Sequence, residues 1–153
     1  MIQLRQAVLA AGIALLPAAL VAATPHGARH QTAATGGAKL MATLTGAAEV
    51  PAGDPDATGT FSATINPGHN QLCYELTARN MATPTMAHIH SGTVGHNGPP
   101  VVTLAAPAKG SAKACLAVTN AVALKLITTP GDYYVNVHNA QFPGGGLRGQ
   151  LTK

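Results

Sequence analysis

The sequence predicts an all-β domain, an antiparallel Greek-key β-sandwich of about seven or eight strands with one short helix. Three observations lead there. Short apolar or β-branched runs, several with strict period-two alternation, recur from residue 39 onward. Clusters of Gly, Pro, Asn and Asp separate them, and one segment alone departs from the pattern.

The strands are expected, in order, over residues 39–45, 58–65, 71–78, 86–90, 101–104, 111–118, 132–138 and 147–152. Between them stand VPAGDPDA, NPGHN, GHNGPP, TPGD and FPGGG, whose residues preset turn dihedrals or accept positive φ. Residues 121–128 lack strict alternation, follow Asn120 as a candidate N-cap and stop before Pro130, so they are expected to form the helix.

The N-terminus reads as an address rather than as part of this fold. Arg5 is followed by an unbroken apolar run over residues 7–23, rich in Ala and containing Pro17. Val21 and Ala23 suit the −3 and −1 positions of an export cleavage site, so residues 1–23 are expected to be a signal peptide cut after Ala23. A run this short and weakly apolar falls below the roughly 20 residues a membrane-spanning helix needs, so no stable membrane insertion is expected after cleavage. Residues 24–38 are polar, small and aperiodic, a flexible linker in which His26 and His30 are incidental, and residues 39–153 form the domain. The chain is therefore expected in the periplasm or outside the cell.

Charge excludes one broad class of function. With 9 Lys+Arg against 5 Asp+Glu the net charge is +4, the basic residues are scattered, and only 3 Tyr and 2 Phe are present to stack bases. Nucleic-acid binding, which needs a basic stripe and stacking platforms, is not expected. The 2 cysteines, Cys73 and Cys115, fall in different predicted strands. An even count in an exported chain reads as a disulfide.

One constellation carries the elements of chemistry. His88 and His90 are two apart in a predicted strand and share a face with Met86, while Ala87 and Ile89 turn to the core. In YYVNVHN the same parity places Tyr133, Val135 and Val137 inward and Tyr134, Asn136 and His138 outward. A His-x-His strand with a third histidine on a neighbour suits copper or zinc. The competing reading has the three imidazoles hydrogen-bonding loop carbonyls beneath the Gly/Pro-rich turns. His69, in PGHN, reads as a solvated turn residue. No serine lies in a nucleophile-elbow context and no carboxylates are paired in a recognisable way, so no hydrolase template is met.

Four stretches resemble the chordin-type (CHRD) domain family: LTGAAEVPAGDPDATGTFSATI, AHIHSG with the following GHNGPPVVTL, YYVNVHN and FPGGGLRGQL. The chain looks like the single-domain exported bacterial members, whose role the family does not define. A more distant resemblance is to copper–zinc superoxide dismutase, a Greek-key barrel that holds copper on a His-x-His strand and a later histidine. That resemblance implies His88, His90 and His138 as copper ligands, and Arg148 as an anion-attracting arginine. Residues 91–100 leave no room for the dismutase zinc loop, and its cluster of zinc ligands is absent. His96 is the one histidine there and a candidate fourth ligand.

The expected function is an exported, non-enzymatic binding or interaction protein whose partner is an extracytoplasmic protein or a metal ion, with copper as the candidate cofactor. The alternatives are a copper-dependent redox enzyme of the dismutase kind and a structural envelope or matrix protein.

Overall fold

Alternating side chains govern the observed strands almost residue by residue. The computed structural model describes residues 37–153, so the proposed signal segment and nearly all of the linker lie outside the described residues. Its strands are β1 (Ala38–Thr45), β2 (Thr58–Asn66), β3 (Gln71–Arg79), β4 (Pro84–Ser91), β5 (Pro100–Leu104), β6 (Ser111–Ala117), β7 (Tyr133–Asn139) and β8 (Leu147–Gln150), with one α-helix, α1 (Asn120–Thr128). The expected all-β class and its helix are what the chain adopts, with boundaries moved by one or two residues.

All eight strands join one antiparallel sheet in the order β5-β4-β7-β8-β1-β2-β3-β6. β1, β2 and β3 form a meander, after which the chain crosses to β4, beside β7, and later returns to lay β6 beside β3. The sheet curls until its two edges approach. Val102 of β5 and Leu116 of β6 line one groove, and the Tyr74 hydroxyl on β3 accepts from the backbone N–H of Ala105, just past β5, at 2.6 Å.

Period-two alternation sends Leu40, Ala42 and Leu44 of β1, Phe61 and Ile65 of β2, Leu72 and Leu76 of β3, Ala87 and Ile89 of β4, and Val135 and Val137 of β7 into the enclosed core. Helix α1 adds Ala123 and Leu126. Truncating any one of the leucines to Ala is worth about 2–5 kcal/mol. The helix cap lies one residue earlier than expected: Thr119 accepts from Val122 N–H, while the Asn120 amide donates to the Pro67 carbonyl.

The β1–β8 seam is narrow, with Thr45 opposite Arg148 and an isolated bridge between Met41 and Thr152. Gly149 permits this approach, because a Cβ there would collide with the Thr43 carbonyl. Cys73 and Cys115 face each other directly across β3 and β6 and are joined as a disulfide.

Candidate metal centre

The β4–β7 ladder assembles the site from residues far apart in sequence. It places Met86 opposite His138, His88 opposite Asn136 and His90 opposite Tyr134. Directly opposed and diagonal pairs on one face lie within side-chain reach, so His88, His90 and His138 converge. One ring nitrogen from each of the three lies within 4.8 Å of those of the others. His88 Nδ1 and His138 Nε2 are 3.2 Å apart.

Two of the rings are held by backbone carbonyls. His90 Nδ1 meets the Gly98 carbonyl at 2.8 Å, and His138 Nδ1 meets the Pro143 carbonyl at 3.0 Å. A carbonyl only accepts, so each Nδ1 carries the hydrogen and each neutral ring presents an Nε2 lone pair. His90 Nε2 is buried and has no hydrogen-bond partner. His138 Nε2 faces the Asn136 side-chain oxygen at 3.0 Å, itself an acceptor. A His88 hydrogen on Nδ1 donates to His138 Nε2; on the other ring nitrogen it leaves two facing lone pairs, the arrangement a cation requires. Two imidazole nitrogens bound at about 2.0–2.1 Å to one ion lie roughly 2.8–3.4 Å apart for angles between square and tetrahedral. The His88–His138 separation fits that window.

Electrostatics favour the neutral form of His88 and of His138. Burial, then the neighbouring His138 and His90, hold the His88 pKa below the usual 6.5. Burial also lowers His138, outweighing the Pro143 carbonyl, which favours its protonated form; His90 adds to the lowering. Neutral imidazole is the form that binds a metal.

The expected outward parity is right, but the face is covered rather than open. Every residue of β7 is buried and His138 is 6% exposed, while His88 and His90 on β4 are half-buried. The reason is the two Gly/Pro-rich loops, residues 92–99 and 142–146, that fold over this face. Arg148 ties the first of them down. Its guanidinium donates to Asn97 Oδ1 and to the Thr93 and His96 carbonyls, each at 2.9 Å, and lies 3.9 Å from Glu49 Oε1. At 2% exposure, Arg148 holds a loop instead of presenting charge to solvent.

Burial raises the Glu49 pKa above its usual 4.5, against the Val50 N–H, Arg148 and the Asn136 amide, all of which favour the carboxylate. Desolvation therefore wins over the arginine, as it does for many buried ion pairs. His96 is exposed and lies outside the cluster, its carbonyl accepting from Arg148. His69 is exposed in a 3-10 turn (Pro67–His69).

Sequence reasoning gave no role to Tyr134, Asn136, Asn97 or Gln150. The Tyr134 ring stacks on His90 with centroids 4.9 Å apart, and its hydroxyl accepts from Gly98 N–H. Asn136 lies between His138 and Glu49, and Asn97 also donates to the Val50 carbonyl. The Gln150 amide gathers the carbonyls of Gly92, Gly131 and Tyr133. For Tyr134 and Asn136 the signal was present, since they share the parity of His138.

The family model described as the CHRD domain matches residues 40–151. No curated protein and no solved structure matches the chain significantly. Among the described residues no helix is long and apolar enough to cross a membrane.

Proposed function

The chain belongs to the CHRD domain family, and from that premise we propose that it is an exported, non-enzymatic domain that binds one copper ion through His88, His90 and His138. The observation that carries this reading is the buried, unpartnered Nε2 of His90 beside two more imidazole nitrogens. A buried nitrogen with nothing to bond is costly unless a ligand completes it. Imidazole suits copper, and the backbone carbonyls of Gly98 and Pro143 supply the outer contacts that fix ring tautomer and orientation. The disulfide and the N-terminal apolar run support an oxidising compartment.

The redox-enzyme reading also needs an anion path to the metal. Arg148 is buried and committed to a loop, so no observation favours that reading.

The test is metal titration of untagged protein with His26 and His30 replaced by Ala, which removes the linker histidines. One equivalent of copper is expected. His88→Ala or His138→Ala should abolish stoichiometric uptake, and His69→Ala should leave it intact. Absence of copper uptake above background assigns the histidines to structure and favours the matrix-protein alternative. Mass spectrometry of exported protein should give an N-terminus at Thr24.

A further inference from the structure

We infer that Met86 supplies a thioether to this site, completing a three-histidine, one-methionine centre that is selective for copper in its reduced state, Cu(I). The inference rests on the copper reading above and adds a fourth ligand and an oxidation state to it.

Three observations place Met86 there. It is the cross-strand partner of His138 and lies two residues before His88, on the face that carries the cluster. Cβ atoms of directly opposed strand residues are about 4.5–5.5 Å apart, within the span of a methionine with its three rotatable bonds. The β4–β7 register shifts between Pro84 and Met86, and such irregularities re-aim the side chains beside them. Met86 is also 47% exposed and takes no part in the core, so packing gives no reason for a large apolar side chain at this position. His96, the other candidate fourth ligand, is held outside the cluster.

Chemistry then selects the oxidation state. A thioether is a soft, neutral ligand of the kind that prefers Cu(I). Three neutral imidazoles and a thioether bring no negative charge. The nearby buried carboxylate, Glu49, turns its Oε1 to the Val50 N–H and Arg148, its Oε2 has no hydrogen-bond partner, and it is not one of the residues whose ligand atoms cluster with the three histidines. A partly buried ion with no anionic ligand costs more to desolvate when divalent than when monovalent.

The experiment measures Cu(I) and Cu(II) affinities separately on the full chain lacking the linker histidines, Cu(I) by anaerobic competition with a chromophoric chelator. X-ray absorption on the Cu(I) form reads the ligand atoms. Met86→Leu conserves volume at a half-exposed position, and thermal unfolding checks that it folds. Met41→Leu, on β1, is the control. The expected result is a copper–sulfur path in the parent protein that Met86→Leu removes. Cu(I) affinity should fall by about tenfold or more, the scale on which even outer contacts of a metal site count, with Cu(II) affinity unchanged. A sulfur-free spectrum, a path that survives Met86→Leu, or equal loss of both copper states overturns the role of Met86 while leaving the three-histidine site standing. If the parent protein binds neither state, the three-histidine reading itself fails.

Discussion

The guanidinium carbon of Arg148 lies 3.4 Å from the ring centre of Tyr134, and the same ring stacks on His90. One aromatic side chain thus joins the β1–β8 seam, the loop over the histidines and one of the candidate ligands. An arginine on an aromatic face keeps its in-plane N–H groups free for other acceptors, here Asn97, Thr93 and His96. Loop order and ligand position are therefore coupled through Arg148.

Removing that guanidinium should be among the most damaging single changes in the domain. Arg148→Ala leaves the Glu49 carboxyl buried without its cation, a class of change that costs about 3–5 kcal/mol. Glu49→Gln in the same protein should recover part of the loss, because the raised Glu49 pKa marks its charge as already unfavourable there. Urea unfolding of the two variants checks both statements. A loss below about 1 kcal/mol for Arg148→Ala would mean the pair contributes no more than a surface ion pair.

Metal-free protein should lose stability as pH falls below about 6.5. Above that value His88 and His138 are neutral in both folded and unfolded chains and contribute nothing. Below it the unfolded chain takes up protons that the folded protein, with lowered pKa values, does not, so the folded state loses stability progressively until pH passes those lowered values, below which the loss stays constant. Glu49 has the opposite sign: its raised pKa gives stability at low pH that is lost as pH rises from 4.5 through the raised value. Comparing the parent with a His88→Asn, His138→Asn variant between pH 8 and 5 isolates the histidine contribution, and an unchanged slope would refute it. The same lowering should let the proposed copper binding persist below pH 6.5.

Much of the fold was legible because burial in a half-covered sheet writes itself as alternation: Leu72, Tyr74 and Leu76 in β3 announce both strand and inward face. Parity also grouped His88, His90 and His138, since period two is a local property. What stayed hidden was non-local. Parity says which face a residue takes, not what covers it, and the burial of His138 and Arg148 depends on loops 92–99 and 142–146. Arg148 resembled an anion-attracting residue in sequence, yet its acceptors are carbonyls some fifty residues away. The helix cap moved from Asn120 to Thr119 because either residue type can cap and Asn120 found a tertiary acceptor in Pro67.

The disulfide should be worth about 4 kcal/mol by the chain-entropy argument for cysteines 42 residues apart. β6 is an edge strand whose sheet partner is β3, and Cys73–Cys115 fastens that pair. Replacing both cysteines by Ala should lower unfolding free energy by several kcal/mol and speed amide exchange over residues 111–117 before the rest of the sheet. Uniform acceleration across all strands would show that the bridge stabilises the domain as a whole rather than that edge.

Gly98 should be essential to the proposed copper site although it offers no ligand. Its carbonyl accepts from His90 Nδ1, its N–H donates to the Tyr134 hydroxyl, and it sits against the Ser91 backbone. A Cβ at this position would collide with the Ser91 carbonyl, so Gly98→Ala must displace the loop or β4. Overpacking of this kind costs about 1–3 kcal/mol. Because the displaced carbonyl fixes the His90 ring, copper affinity should fall by about 10–100-fold, as for other outer contacts of metal ligands. Gly144→Ala, next to Pro143 on the other covering loop, meets no atom within 4 Å and should change neither quantity. Calorimetric copper titration and urea unfolding of the two variants provide the check. If Gly98→Ala keeps parent affinity while losing stability, the Gly98 carbonyl holds the loop but does not orient His90.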